Sequence, residues 1–206
     1  QTCVAPDYIL VHHKMKDTFV KFLIQEIEKA LGPNPEESPD YARIINLKNW
    51  QRQLSLLENQ TILYGGQATQ DSLYLSPTLL DEPKMDSLVM KEEIFGPILP
   101  ILSYQSEDDI DKIISSFDKP LSLYLFSENK FFINTVLKKY SFGGGCINDT
   151  VIHLVNNNLP FGGVGNSGMG AYHGKLSFDI FSHKKSIVKR GTWLDIPLRY
   201  APYGDK

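Results

Sequence analysis

The sequence predicts an α/β fold, specifically a three-layer αβα domain around a mainly parallel β-sheet. Apolar runs of strand length alternate with segments whose apolar residues recur at helical spacing. The run at 121–126 is almost wholly apolar, which is typical of a strand buried on both faces. Helical connections between successive strands form right-handed crossovers, so the strands that they join are expected to run parallel.

The elements are predicted from this alternation in chain order. Strands are expected at 4–11, 61–65, 74–80, 98–104, 121–126, 143–148 and 186–189. Helices are expected at 15–31, 47–59, 106–117, 128–139 and 177–181. Because the strands at 98–104, 121–126 and 143–148 are joined only by helices, we expect these three to be neighbours in the sheet.

Local signals mark several helix ends. Ser106 with Asp109 three residues later is a capping-box pattern and predicts the start of one helix. Ser127 is the predicted N-cap of the next helix, and Gly32 followed by Pro33 ends the first one.

Composition excludes several classes of function. The chain has 206 residues, 42% hydrophobic and 22% charged, which is ordinary for a globular protein. A net charge of −3 gives no reason to expect nucleic acid or an anionic membrane as partner. No apolar stretch approaches the roughly 20 residues of a membrane span. The two cysteines have neither disulfide-framework nor metal-ligand spacing, so we expect a reducing, cytoplasmic setting and no metal.

The segment 91–97, with the sequence KEEIFGP, is the first candidate site. On an extended segment Glu93 and Phe95, two residues apart, point to the same face. A carboxylate there can accept both hydroxyls of a ribose, and an aromatic ring can lie against a flat base. Gly96 allows a close backbone approach, and Pro97 stiffens the exit. This combination suits the nicotinamide half of a dinucleotide, although a charged turn entering a strand is also compatible with the spacing.

Two further segments have the same order and character as those of a known family. The chain opens QTCVAP at 1–6 and runs PFGGVGNSGMG at 160–170. Together with KEEIFGP, these segments resemble the aldehyde dehydrogenase superfamily. Asn148 with Asp149, and the run GAYHGK at 170–175, look most like its class 3 branch of fatty and aromatic aldehyde dehydrogenases. The resemblance implies a cysteine-bearing catalytic domain at 1–190 and an extended tail at 191–206. It also implies that the upstream nucleotide-binding domain is absent from these residues.

The resemblance assigns roles to individual positions. Cys3 falls on the family's nucleophile, Glu93 on its ribose-binding glutamate and Phe95 on its nicotinamide-contacting phenylalanine. Phe161 would line the aldehyde channel. NAD or NADP would be the cofactor, and an aldehyde would be oxidised to a carboxylic acid through a thiohemiacetal and a thioester on Cys3. The family also pairs through this domain, so a homodimer is expected.

The residues alone allow plainer interpretations. A cysteine near a chain end is usually a frayed thiol, and Phe161 could be a core aromatic beside a turn. Cys146, within a predicted strand, is expected to be a buried structural cysteine. The run at 163–168 satisfies G-x-G-x-x-G, but no strand leads in and glycine follows, so we expect a loop rather than a dinucleotide fingerprint.

Three alternatives to a dehydrogenase remain open. The chain could be a non-catalytic piece that folds and pairs, and as a fragment with half of a site it is expected to be inactive. It could be a superfamily relative that handles acyl phosphate or acyl-coenzyme A, although such relatives depart from the Glu-x-Phe-Gly-Pro pattern. A cysteine hydrolase would need a histidine beside Cys3, for which no signature is present. The sequence does not distinguish NAD from NADP or identify the aldehyde.

Overall fold

The structure, a computed structural model, describes residues 1–203. Its strands are β1 Ile9–His12, β2 Ile62–Tyr64, β3 Ala68–Thr69, β4 Tyr74–Leu75, β5 Thr78–Asp81, β6 Ile98–Tyr104, β7 Ser122–Leu125 and β8 Gly144–Ile147. Its α-helices are α1 Lys16–Leu31, α2 Leu47–Leu56, α3 Leu88–Lys91, α4 Glu107–Ile114, α5 Lys130–Lys139 and α6 Gly174–Ile180. Short 3₁₀ helices lie at His13–Met15, Pro35–Glu37, Ile152–Leu154, Gly165–Ser167 and Pro197–Arg199.

The main sheet has the strand order β1-β6-β5-β2, in which β1, β6 and β5 run parallel and β2 is antiparallel to β5. A separate parallel pair joins β7 to β8, and β3 pairs with β4 antiparallel. The predicted α/β fold with a mostly parallel sheet is therefore confirmed.

The expectation that 98–104, 121–126 and 143–148 are all neighbours is wrong. Within residues 1–203, β7 and β8 pair with each other and neither pairs with β6. The reason is that β6 already lies between β1 and β5, so both of its hydrogen-bonding edges are occupied.

Helices cover both faces of the main sheet. Side chains alternate along each strand, and Leu80, Ile98 and Leu102 pack into a buried cluster with Trp50 of α2. On the opposite face, Asp81 forms an ion pair with Lys16 of α1 at 2.5 Å. This arrangement is the expected three-layer order, with α1 on one side and α2 with α4 on the other.

Several element boundaries differ from expectation. The first strand begins at Ile9 instead of Val4, because residues 2–5 form a turn in which the Ala5 amide donates to the Thr2 carbonyl oxygen at 3.0 Å. The strand predicted at 74–80 is divided at Pro77, which has no amide hydrogen to give to a ladder. Residues 186–189, predicted to be a strand, have no regular structure.

One of the two predicted N-caps is correct and the other is wrong. Ser106 and Asp109 form the predicted capping box at the start of α4. Asn129, not Ser127, caps α5, since its side-chain oxygen accepts from the amides of Phe131 and Phe132. Ser127 instead accepts from the Asn129 amide at 3.1 Å.

The C-terminal tail predicted at 191–206 is described only in part. Residues 191–203 contain the 3₁₀ helix Pro197–Arg199, and residues 204–206 lie outside the described part of the chain. The division of the chain at residue 190 stays a prediction. Among the helices of residues 1–203, none combines the length and the apolar composition that crossing a bilayer requires.

Candidate functional site

The loop between α3 and β6 holds Glu93 and Phe95 at the surface. Between them, the Ile94 side chain is only 1% exposed and belongs to the main buried cluster. Glu93 is exposed and the Phe95 ring is 45% exposed, so both side chains are available to a ligand. The loop is not the extended segment that the spacing argument assumed, because Phe95 has φ +50°. A bulky residue in this left-handed region stores about 1–3 kcal/mol of strain.

Side chains distant in sequence hold this loop through the Ile94 peptide. Arg52 of α2 donates to the carbonyl oxygens of Glu93 at 3.1 Å and Ile94 at 2.6 Å. The buried amide of Gln53 donates to the same Ile94 oxygen at 2.5 Å. From the other direction, a carboxylate oxygen of Asp7 accepts from the Ile94 amide at 2.9 Å.

Glu92, the residue before Glu93, contacts α2. Its carboxylate lies 3.7 Å from the Arg52 guanidinium. Gly96 passes so close to the same helix that an added Cβ would lie 2.2 Å from the Gln53 side-chain oxygen. Glycine at this position therefore permits the close packing of the loop against α2.

Cys3 is exposed on the turn that precedes β1. The adjacent Val4 side chain is 1% exposed, and its carbonyl oxygen accepts a hydrogen bond from the Tyr124 hydroxyl at 2.6 Å. Burial on one side and a hydrogen bond on the other fix the backbone beside the thiol, which is more than a frayed chain end would have. In the described part of the chain, no histidine is hydrogen-bonded to Cys3.

Phe161 is 9% exposed and lies within a cluster of rings. Its ring centroid is 5.8 Å from those of Tyr172 and His173 and 6.1 Å from that of His153. The Phe161 and Tyr172 backbones also form an isolated antiparallel bridge. His153 in turn contacts Tyr124 at 5.8 Å between ring centroids, so this cluster extends to the residue that holds Val4.

His153 makes polar contacts as well as ring contacts. Its Nδ1 is 3.6 Å from the Cys146 sulfur, and its Nε2 is 3.4 Å from the Ser122 hydroxyl. Burial lowers the pKa of the His153 imidazole from its ordinary value, which favours the neutral ring. Cys146, expected to be buried, is half-buried.

The glycine-rich run at 163–168 forms a loop. It contains the 3₁₀ turn Gly165–Ser167, and residues 159–173 contain neither a regular strand before the turn nor an α-helix after it. An added Cβ on Gly163 would lie 2.1 Å from the Ser167 carbonyl oxygen, so glycine is needed for the chain to fold back on itself. The sequence predicted a loop and not a dinucleotide fingerprint at this run, and the structure agrees.

Several contacts that fix the site cannot be predicted from local patterns. Arg52 and Gln53 are 41 or 42 residues from the carbonyl groups that they bind, and Asp7 is 87 residues from Ile94. Tyr124 is 120 residues from Val4. The only sequence signal that pointed to His153 was its position shortly after Asn148, one of the residues on which the family resemblance rests. In residues 1–203, His, Cys, Asp and Glu side chains do not gather into a group of three that could bind a metal ion.

Comparison with known proteins identifies the family. A family model described as "Aldehyde dehydrogenase family" matches residues 1–187. The 4,4'-diaponeurosporen-aldehyde dehydrogenase of Staphylococcus aureus (strain NCTC 8325 / PS 47) is 52% identical over 100% of this chain and 45% of its own length. Aldehyde dehydrogenase family 3 member A2 of Rattus norvegicus is 47% identical over 98% of this chain and 42% of its own length.

Solved structures show the same fold. A structure described as the substrate-bound state of Staphylococcus aureus AldH superposes with a TM-score of 0.94 at 52% identity, covering 98% of this chain and 45% of that one. The NAD⁺ complex of a Bacillus cereus aldehyde dehydrogenase gives a TM-score of 0.77 at 25% identity, covering 89% of this chain and 38% of that one.

The mostly parallel α/β fold and a family model that covers most of the chain together define its class. This chain belongs to the aldehyde dehydrogenase family. It spans about 45% of the length of the staphylococcal relative and about 42% of the rat relative.

Proposed function

We propose that this chain is the catalytic domain of an NAD(P)-dependent aldehyde dehydrogenase, which oxidises an aldehyde to a carboxylic acid at Cys3. The observation that carries the proposal is that one short segment both presents the thiol and contacts the Glu93–Phe95 loop. Cys3 is exposed, and Asp7, four residues later, accepts the hydrogen bond from Ile94 at 2.9 Å. This contact supports the proposal that the nucleophile and the cofactor loop belong to one site.

Cys3 is the proposed nucleophile because a thiolate adds readily to a carbonyl carbon. Addition to an aldehyde gives a thiohemiacetal, loss of hydride gives a thioester, and water releases the carboxylic acid. The backbone amide of Cys3 would donate to the oxygen that becomes negative during addition. The resemblance places the second oxyanion donor and the glutamate that activates water in the family's upstream half.

Glu93 and Phe95 are the proposed contacts to the cofactor. The exposed Glu93 carboxylate can accept two ribose hydroxyls, and the half-exposed Phe95 ring offers an apolar surface to a nicotinamide ring. These residues therefore fit the ribose and nicotinamide end of NAD or NADP and do not discriminate between the two. When bound, the cofactor supplies the oxidant that accepts the hydride.

The proposed substrates are apolar aldehydes. Phe161 would line the aldehyde channel, and it lies in a cluster with His153, Tyr172 and His173. Such a ring cluster favours an aliphatic or aromatic chain over a polar one. Since the staphylococcal relative is named for a diaponeurosporen aldehyde, a polyene aldehyde belongs in the substrate panel.

We also propose a homodimer in a reducing, cytoplasmic setting. Cys3 and Cys146 are free thiols, and a nucleophilic thiol must remain reduced to act. Within residues 1–203, β1 and β2 are the outer strands of the main sheet, and such edges invite pairing with another chain. Analytical ultracentrifugation at micromolar concentration should give the mass of a dimer, and a monomer at all concentrations would contradict the proposal.

The experiment uses the protein as its gene encodes it, assayed for NADH and NADPH formation with a panel of aliphatic, aromatic and polyene aldehydes. We expect turnover that Cys3→Ala abolishes and that the matched variant Cys146→Ala retains. Glu93→Gln should slow hydride transfer while leaving the unfolding midpoint close to that of the wild type. Turnover indifferent to Cys3→Ala would refute the nucleophile assignment. A product formed only with added coenzyme A or phosphate would identify an acylating relative instead.

A protein limited to these 206 residues is proposed to be inactive. Glu93 and Phe95 could hold only the nicotinamide end, and the rest of the dinucleotide would lack its anchor. Proximity of bound reactants contributes about 7–11 kcal/mol to favourable reactions, and most of it would be lost. Robust turnover by the 206 residues alone would contradict this.

A further inference from the structure

Both backbone polar groups of Ile94, its amide and its carbonyl oxygen, are fixed by hydrogen bonds to side chains. Its amide donates to Asp7 at 2.9 Å, and its carbonyl oxygen accepts from Arg52 at 2.6 Å and from Gln53 at 2.5 Å. Its side chain is also buried in the main cluster. Both polar groups and the side chain of one residue are therefore fixed by the first segment of the chain and by α2.

The contacts of Ile94 also restrain the backbone of the next residue, Phe95. Phe95 has φ +50°, a conformation that a bulky residue adopts only where its surroundings impose it. If the Ile94 peptide were released, the backbone could relax and the Phe95 ring would turn away from its present direction. The orientation of the proposed cofactor loop thus depends on the contacts made by its buried neighbour.

Asp7 is the contact that links the loop to the nucleophile. The Val4 carbonyl oxygen accepts from Tyr124 and the Val4 side chain is buried, so the backbone between Cys3 and Asp7 is anchored. From this anchored segment the Asp7 carboxylate reaches the Ile94 amide. The Cys3 turn and the Glu93–Phe95 loop are therefore tied together by one side chain.

The surroundings of Asp7 are not those of a solvated surface acid. The pKa of its carboxyl group is raised, chiefly by burial and also by the nearby Glu93, while the hydrogen bond from Ile94 and the charge of Arg52 lower it in part. Half-burial of a carboxylate is unfavourable, and here the Ile94 amide and the Arg52 charge offset that cost only in part. A carboxylate in such surroundings is typical of a residue that holds another segment in position.

We propose that Asp7 is a positioning residue, which sets the distance and orientation of the Glu93–Phe95 loop relative to Cys3 through its hydrogen bond to the Ile94 amide. This inference rests on the proposed function and deepens it, since it concerns the same site. Asp7 acts through Ile94 and touches neither the aldehyde nor the cofactor.

The first test is kinetic and uses the protein as its gene encodes it. Asp7→Ala should raise KM for NAD(P) about tenfold and lower kcat, while changing the rate of Cys3 alkylation by iodoacetamide less than about twofold, because Val4 remains anchored. The matched control is Tyr41→Phe, which removes a half-buried hydrogen bond of 2.7 Å to the Leu75 carbonyl oxygen elsewhere in the domain. The control should leave KM for the nucleotide unchanged. Equal KM values in Asp7→Ala and the wild type would overturn the proposal.

The second test is a double-mutant cycle between the two sides of the Ile94 peptide. Asp7→Ala and Arg52→Ala should together raise KM for the nucleotide by clearly less than the product of their single effects, since both release the same loop. Tyr41→Phe combined with Asp7→Ala should give no such coupling. Full multiplication of the Asp7 and Arg52 effects would show that they act separately, and the proposal would be wrong.

A third readout does not depend on activity. Amide hydrogen exchange across residues 92–97 should become about tenfold faster in Asp7→Ala and remain unchanged in Tyr41→Phe. If the wild-type protein oxidises none of the aldehydes, the proposed function fails, yet the exchange comparison still decides whether Asp7 holds the loop. If the protein is active and exchange in 92–97 is the same in all three proteins, the proposed role of Asp7 fails alone.

Discussion

The Tyr124 hydroxyl donates a hydrogen bond of 2.6 Å to the carbonyl oxygen of Val4, the residue that follows the proposed nucleophile Cys3. Tyr124 lies in β7, so this bond fastens the Cys3 turn to the β7–β8 pair. Val4 itself is buried, which leaves the Cys3 side chain as the exposed part of an anchored turn.

Tyr124→Phe should loosen that turn. Loss of one hydrogen bond is expected to lower the free energy of unfolding by about 0.5–1.5 kcal/mol and to speed alkylation of Cys3 by iodoacetamide. Tyr104→Phe is the matched control, because its ring packs edge-on against His12 and its hydroxyl has no hydrogen-bond partner within residues 1–203. Urea unfolding and alkylation rates check both effects. Identical alkylation rates in the two variants would contradict the anchoring role of Tyr124.

Phe95→Asn should separate stability from function. Asparagine tolerates the left-handed region better than phenylalanine, and the relief of strain should offset the loss of the partial burial of the Phe95 ring, which is 45% exposed. The free energy of unfolding should stay the same or rise by up to about 1 kcal/mol, whereas the affinity for NAD(P) should fall.

Phe126→Asn is the control for this prediction. Phe126 is also exposed but its backbone has no positive φ, so no strain is relieved by the change. Calorimetry for nucleotide binding and urea unfolding measure the two quantities. Strong destabilisation by Phe95→Asn, with no such loss in Phe126→Asn, would show that the +50° conformation is not strained.

Gly145→Ala should destabilise the β7–β8 pair. An added Cβ at this position would lie 1.8 Å from the Leu123 carbonyl oxygen, and backbone atoms in a paired strand cannot move aside cheaply. We expect a loss of about 1–3 kcal/mol or more. Gly144→Ala, whose nearest neighbour would be a side-chain carbon of His153 at 3.2 Å, should cost less. Thermal unfolding of both variants provides the comparison, and equal costs would contradict the register in which Gly145 pairs with Leu123.

Stability should fall on mild acidification because of His153. Burial lowers the pKa of its imidazole below the ordinary value of 6.5, so the unfolded chain binds this proton at a higher pH than the folded one. The contribution is therefore complete above pH 6.5 and is lost as the pH falls through 6.5 towards the folded pKa.

His153→Phe tests this pH dependence, since phenylalanine keeps the ring contacts to Tyr124 and Phe161 but cannot be protonated. The drop in urea midpoint between about pH 7.5 and about pH 5.5 should be smaller in this variant than in the wild type. His183→Gln changes an exposed histidine and should follow the wild type. A drop of the same size in His153→Phe would exclude His153 as its source.

Local patterns were sufficient where the structure depends on neighbours in sequence. The capping box of Ser106 and Asp109 spans three residues, and α4 begins where it predicts. The alternation of apolar runs likewise predicted β6, β7 and β8 with nearly correct bounds. Ser127 failed as a cap because a better acceptor, Asn129, lies two residues further along. The sequence pattern alone did not show which of Ser127 and Asn129 would be the N-cap.

By itself, the sequence determined the α/β class, the family and the residues proposed for the chemistry: Cys3, Glu93, Phe95 and Phe161. Tertiary structure decided that β6 lies between β1 and β5, that Phe95 is held at a positive φ and that Asp7 meets Ile94. The physical reason is distance along the chain. Helices and strands follow periodicities of two to four residues, whereas the hydrogen bonds that fix the site join groups 41 to 120 residues apart. Strand partners are also distant in sequence, as with Ile9 of β1 and Ile101 of β6, and only the packed fold brings them together.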